Sequence, residues 1–131
     1  MYRAREKQMS IYDYLPPYHG ELCNANRWVR LADAIDWDGF EKAYSELFAP
    51  GGKVALPARV ALGCRIIQLH YAASDREVVA LVQESPYLQY FLGFESFTDA
   101  VPFSSRTVAR FRARIPDKAV RPAVRLLRSF Q

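Results

Sequence analysis

Three arginines near the end of this 131-residue chain recur at a spacing that suits contact with a polyanion. Arg106, Arg110 and Arg114 stand four residues apart, so a helix would carry them one turn apart on the same face. Guanidinium groups beside small alanines form a narrow positive ridge, and such a ridge suits the DNA major groove, where arginine bonds guanine edges or clamps phosphates. The spacing therefore predicts DNA contact. The alternative is a solvated arginine face that has no ligand.

Neighbouring residues of the same predicted helix extend this interpretation. Ser105 and Thr107 offer hydroxyl groups and helix-start N–H groups to a phosphate. Arg112 falls near the edge of the apolar face that Val108 defines, so its stem would lie along the core while its charged head reaches outward. We include Ser105, Thr107 and Arg112 among the predicted DNA contacts.

The distribution of charge supports a polyanionic partner. Residues 1–99 contain 10 Lys and Arg against 13 Asp and Glu, whereas residues 100–131 contain 8 Lys and Arg against one acid, Asp117. The overall net charge is +4, but residues 100–131 alone carry +7. So sharp a division indicates an acidic scaffold with a basic surface, for which nucleic acid is the expected partner.

A second basic stripe is predicted on the last helix. Arg121, Arg125 and Arg128 recur at helical spacing beside the apolar residues Val120 and Val124. This stripe could contact the DNA backbone, or it could form part of an interface with another domain.

The N-terminus offers a third basic segment. Arg3, Arg5 and Lys7 lie in an arm predicted over residues 1–26, which mixes charges, aromatics and turn formers with one short turn near residues 10–14. Such an arm can enter a minor groove. A frayed, solvated terminus is the equally open alternative.

No pattern predicts catalysis, a metal site or a cofactor. The serines lack a nucleophile-elbow sequence, and Gly51-Gly52 lacks the downstream residues of a phosphate-binding loop. Asp36 is expected to cap a helix, with Asp33 and Asp38 on a solvated face. The other potential ligands lie without ligand spacing: His19, His70, Cys23 and Cys64.

Bulk properties favour a cytoplasmic protein. Half of the residues are apolar, yet no run approaches the roughly 20 residues of a membrane span, so we expect no membrane partner. The N-terminus has no signal-peptide pattern. The two cysteines cannot build a disulfide framework, which fits a reducing compartment, and Cys64 is expected to be a small buried hydrophobe.

The elements that position these residues are predicted to be helical. Helical periodicity and capping signals predict an all-α single domain of six or seven helices, with a helix-turn-helix-like C-terminal half. Pro122 leaves the start of the last helix open. The helix at 57–71 is apolar on nearly every side and should be central, and Ser74 with Glu77 forms a capping box. The predicted helices cover residues 27–35, 37–48, 57–71, 75–84, 87–92 and 105 to about 115, and a last helix ends at residue 130.

Several blocks resemble the helical N-terminal domain of bacterial insertion-sequence transposases, the InsH-type branch of the IS five-like DDE enzymes. The most specific block is the sequence PYLQYFLG at residues 86–93. The resemblance covers residues 2 to about 115, and its blocks keep their order and spacing. They lie at residues 5–10 with Asp13, 26–31, 57–59 with Leu62, 74–77, 84–93 and 102–112.

The resemblance implies a domain, over residues 27–131, that recognises the terminal inverted repeats of a mobile element. The ribonuclease H-like domain that follows in such transposases supplies three metal-binding carboxylates, and the sequence has no counterpart of them. We therefore expect no catalysis by this chain alone. A truncated remnant, a fragment and a domesticated DNA-binding protein all fit the sequence.

Partners other than transposon-end DNA stay open at this stage. A homodimer and a separate catalytic transposase chain are both compatible with the sequence. The rival class of function is a protein-interaction or self-association module, in which the basic ridge docks on an acidic partner and the Tyr/Phe cluster at residues 87–94 forms the contact. The same aromatic residues are otherwise expected in the core.

Overall fold

The computed structural model describes residues 22–45 and 57–130, which form seven α-helices and no strand. This confirms the predicted all-α class. The basic arm residues Arg3, Arg5 and Lys7, the turn predicted at residues 10–14 and the end predicted for the second helix lie outside the described residues. The helices are α1 (Arg27–Ala34), α2 (Trp37–Ser45), α3 (Ala58–Tyr71), α4 (Asp75–Glu84), α5 (Pro86–Phe91), α6 (Ser105–Arg114) and α7 (Asp117–Ser129).

Helix α3 is the central helix, as its all-round apolar sequence predicts. Ten of the eleven residues from Ala58 to Gln68 are buried, and the remaining one, Arg59, is half-buried. Helices α2, α4, α6 and α7 all pack against α3, whereas α1 packs mainly on α5 and α7. A helix surrounded in this way has no solvent face, which explains the absence of a polar stripe in its sequence.

Local signals in the sequence place most helix ends. The predicted capping box is present: the Glu77 N–H donates to Ser74 Oγ (3.1 Å), and the Ser74 N–H donates to Glu77 Oε1 (2.7 Å). Asp36 caps α2 by accepting from the Gly39 N–H (3.1 Å). Gly93 has φ of +87°, which ends the short α5 in a conformation that favours glycine.

Two prolines lie close to helix starts, one just outside its helix and one inside. Pro57 lies at the N-cap, immediately before α3, rather than inside its first turn. Helix α7 begins at Asp117 and continues through Pro122. The lost backbone hydrogen bond at Pro122 is tolerated because this residue is exposed, while the opposite face of the helix buries Val120, Val124 and Leu127.

The aromatic residues of α5 belong to the core, as the core alternative predicted. The Phe91 ring lies 4.9 Å from that of Trp28 and 5.5 Å from that of Trp37, both with edge-on geometry. Arg59 of α3 donates to the carbonyl oxygens of Phe91 (2.9 Å) and Tyr90 (3.1 Å), and so satisfies the end of α5. Tyr90 and Phe91 are therefore not available for stacking on bases.

A buried glutamine fixes the segment that leads into α6. Gln89 is fully buried, and its Nε2 donates to the carbonyl oxygens of Val82 (2.8 Å) and Thr98 (2.6 Å). Its Oε1 accepts from the Thr98 N–H (2.9 Å). The non-helical stretch before Ser104 is thereby tied to α4 and α5, which determines where α6 begins.

The one charged side chain that α3 buries, in the described residues, joins it to α6 and α7. Arg65 is 3% exposed, and its Nε donates to the carbonyl oxygen of Ile115 (2.9 Å), the residue that ends α6. Its Nη1 donates to Gln68 Oε1 (2.7 Å), and its Nη2 forms an ion pair with Asp117, the first residue of α7. The guanidinium thus holds the connection between the two basic helices.

We expect Arg65→Met to lower the free energy of unfolding by about 2–3 kcal/mol, because it leaves the Ile115 carbonyl and the Gln68 amide oxygen without donors in a buried site. Asp117→Asn should cost less, since the Asp117 side chain is 52% exposed and water can replace the lost partner. Urea unfolding followed by circular dichroism measures both values. Equal losses in the two variants would contradict this ranking.

Candidate nucleic-acid interface

Helix α6 exposes its arginines to solvent, as their helical spacing predicts. Val108 and Phe111 are buried against α3 and α4, and Ile115 continues this face at the helix end. Arg106, Arg110 and Arg114 are exposed. At about 100° per residue these three arginines lie opposite Val108. We call their face the arginine ridge.

Two residues of the arginine ridge carry uncompensated charge. Arg106 and Arg110 make no hydrogen bond or ion pair with any other residue in the parts of the chain that the structure describes. Ala109 and Ala113, which border them, add little bulk. Both guanidinium groups therefore retain all their donors for an external acceptor.

The start of α6 is a second capping box. Ser104 Oγ accepts from the Thr107 N–H (3.4 Å), and Thr107 Oγ1 accepts from the Ser104 N–H (3.5 Å). The predicted phosphate ligand Thr107 therefore has its hydroxyl engaged within the cap. Ser105 is half-buried at the helix start, in an open depression between α4 and α6.

Arg112 is held by the protein itself. Its Nε donates to Asp75 Oδ1 (3.0 Å) and its Nη2 to Asp75 Oδ2 (2.9 Å), a bidentate pair that connects α6 to the start of α4. The Arg112 guanidinium holds the pKa of the Asp75 carboxyl below its ordinary value, with a hydrogen bond from Gln68 Nε2 (2.8 Å) assisting. Its charge is thus compensated inside the fold, in contrast to Arg106 and Arg110.

The cations of α7 occupy one flank of that helix. Arg121 and Arg125 are exposed, and neither has a hydrogen-bond or ion-pair partner within residues 22–45 and 57–130. Arg128 differs, because its Nη2 donates to the carbonyl oxygen of His70 near the end of α3 (3.4 Å). That contact places a cation at the negative end of the central helix.

The helix-turn-helix assignment stays a prediction. Only Ile115 and Pro116 separate α6 from α7, a link short enough for such a motif. The principal contacts of α7 are with α3, and those of α6 are with α4 and α3.

The described residues offer no obvious metal site. No group of three or more His, Cys, Asp and Glu side chains is placed to hold an ion in the two described stretches. Cys64 is fully buried, and burial raises the pKa of its thiol. None of the helices in these stretches is long and apolar enough to cross a membrane.

The signals that sequence reasoning missed are all long-range pairings. Arg65 with Asp117, and Arg112 with Asp75, lie far apart in sequence and leave no local pattern. One clue was available: Arg65 and Gln68 are polar residues three positions apart on an otherwise apolar helix, a spacing that places them side by side.

Comparison with known proteins agrees with the sequence resemblance at the level of the family. Residues 11–114 match the family model described as a transposase domain, DUF772. An uncharacterized protein of Rhizobium meliloti, ORF8 in the nfe locus, is 37% identical over 87 residues, which are 66% of this chain and 42% of that protein. The chain thus spans less than half the length of this relative. No solved structure matches the chain.

The Asp75–Arg112 pair predicts acid sensitivity. A carboxyl whose pKa is lowered in the folded state stabilises the fold above its unfolded pKa of about 3.9, and this contribution disappears as the pH falls through the folded value. We therefore expect Asp75→Asn to be less stable than the wild type at pH 7, and the difference to shrink as the pH falls below the unfolded pKa and through the folded pKa. Urea unfolding at pH 7, 5, 4 and 3 measures the difference.

Asp99→Asn serves as the matched control, because Asp99 is an exposed loop residue whose carboxylate has no hydrogen bond or ion pair in the described chain. Its difference from the wild type should stay small at every pH. A difference between Asp75→Asn and the wild type that is constant with pH would show that the ion pair does not contribute.

Proposed function

The chain belongs to the transposase domain family DUF772, and from that membership and the arginine ridge we propose that it binds the DNA ends of a mobile element. The observation that carries the proposal is the state of Arg106 and Arg110: exposed, adjacent on one helix face and without a partner in the described structure. Both lie within the residues that match the family. DNA provides the closely spaced anions and guanine edges that such a row recognises.

The positive charge of residues 100–131 strengthens this proposal. Asp117 is the one acid among residues 100–131, and it is already engaged with Arg65. No acid of this segment is therefore left to neutralise the arginine ridge. A polyanion that binds there gains from counterion release, which grows with the number of phosphates contacted.

Helix α7 extends the proposed contact surface. We assign Arg121 and Arg125 to the DNA backbone, because they are exposed, unpaired in the described chain and connected to α6 through a two-residue link. Helix α7 lies beyond the residues that match the family, 11–114. We propose that the arginine ridge reads base edges or clamps phosphates and that α7 adds electrostatic affinity.

In the finer form of this proposal, the DNA target is the terminal inverted repeat of an InsH-type insertion sequence, and the reaction served is DNA transposition. The domain would bring the strand-cleaving part of a transposase to the element's ends. We propose that this part is supplied elsewhere, on the same polypeptide or on another chain.

The competing protein-interaction function finds less support. In the described residues, Tyr71 and Leu126 are the large apolar side chains that are exposed, each at 39%. The Tyr71 hydroxyl is engaged by Trp28 and Arg27. A stable protein interface normally has an apolar centre. Among the described residues, few exposed apolar side chains could form such a centre.

The test is a titration of duplex DNA followed by fluorescence anisotropy at two salt concentrations. One duplex carries a terminal inverted repeat of an InsH-type insertion sequence, and the other is a shuffled version of the same composition. We expect tighter binding to the repeat, with affinity falling steeply as salt rises. Arg110→Ala should lower affinity for the repeat by about 5- to 100-fold, the range for loss of one arginine contact to a base.

Lys42→Gln is the matched control, since it removes one positive charge from α2, outside the proposed interface. Its affinity should stay within about twofold of the wild type, as an effect of net charge alone would be small at moderate salt. Equal affinity of the wild type and Arg110→Ala for the repeat would remove the arginine ridge from the interface. Absence of DNA binding at low salt would overturn the proposed function.

A further inference from the structure

Helix α4 also contributes an arginine to the surface that carries the arginine ridge. Arg76, from the start of α4, lines an open depression together with Arg106 from the start of α6. Ser74, Asp75, Ser105 and Ala109 complete the lining. Helices α4 and α6 pack against each other, so the depression lies where the first turns of two helices come together.

Both arginines occupy electrostatically unfavourable positions. Arg76 and Arg106 are each the second residue of their helix, where the backbone dipole is positive and acids are preferred. Their side chains also line one depression, which brings two positive charges into the same concavity. Two cations at two helix starts form a surface that favours an anion.

Neither Arg76 nor Arg106 is paired with another side chain in the described structure. Arg76 is exposed and, like Arg106, has no hydrogen bond or ion pair within the described stretches. Asp75 lines the depression, but both of its carboxylate oxygens accept from Arg112. Glu77 is engaged by the backbone N–H of Ser74 in the capping box. The two nearest acids on α4 are therefore committed to structural roles.

We propose that Arg76 and Arg106 together bind a backbone phosphate of the DNA strand beside the arginine ridge, which makes Arg76 a binding residue. This inference rests on the proposed function, because the ligand is the same duplex. A phosphate in the depression accepts hydrogen bonds from two guanidinium groups, with Ser105 at its edge. The contact fixes where α6 lies along the strand and carries no sequence information.

The test is Arg76→Gln, which removes the charge and keeps a polar side chain of similar helix propensity. We expect affinity for the repeat and for the shuffled duplex to fall by the same factor, about 3- to 10-fold at moderate salt. The slope of log K against log salt should decrease in magnitude by about 0.9, the value for one phosphate contact. Thermal unfolding should shift in the opposite sense, with Tm rising by about 1–4 °C as the unfavourable helix-end charge is removed.

Lys42→Gln is again the control, because Lys42 lies in the last turn of its helix, where a cation is favourable. It should keep the salt slope of the wild type, and its Tm should not rise. Wild-type affinity and slope in Arg76→Gln, with Arg110→Ala still impaired, would overturn this inference and leave the proposed function intact. An equal loss in Arg76→Gln and Lys42→Gln would show a diffuse charge effect and also overturn it. Failure of the wild type to bind either duplex would overturn both proposals.

Discussion

The buried guanidinium of Arg65 is the interaction on which the arrangement of the basic helices depends. It is placed on the central helix, and it contacts the last carbonyl of α6 and the first side chain of α7 at once. A charge in so buried a place must have its donors satisfied. Any movement of α6 relative to α7 would break at least one of these contacts, so the two helices are held in one relation to α3.

The same interaction extends to the surface through a chain of hydrogen bonds. Arg65 donates to Gln68, Gln68 donates to Asp75, and Asp75 accepts both donors of Arg112. Arg112 is thereby fixed on the α4 side of α6, in agreement with the rotation that burial of Val108 and Phe111 gives that helix. With Arg112 turned toward α4, Arg106 and Arg110 face solvent. The arginines of α6 thus include one that is held against α4 and two, Arg106 and Arg110, that have no partner in the described chain.

How much the sequence predicts follows from the range of each interaction. Helix ends depend on residues three or four apart, so the Ser74–Glu77 box and the Asp36 cap are readable from the sequence. The central position of α3 follows equally from its apolar composition. The pairings of Arg65 with Asp117 and of Arg112 with Asp75 depend on tertiary packing, which periodicity does not encode. The helical spacing of the arginines therefore locates the exposed face of α6. It does not show which guanidinium forms an ion pair with a carboxylate that is distant in sequence.

Arg76, for which we propose a binding role, lies within a capping signal. The sequence Ser74–Glu77 explains the start of α4 completely, so the arginine within it attracts no notice. Its position at the positive end of a helix, in one depression with Arg106, is electrostatically unfavourable for a cation. Salt screens exposed charges from one another, whereas it weakens the binding of DNA by reducing the gain from counterion release. The phosphate contact that we propose for Arg76 and Arg106 is therefore expected to weaken as salt rises, while the two positive charges of the free domain are screened from each other.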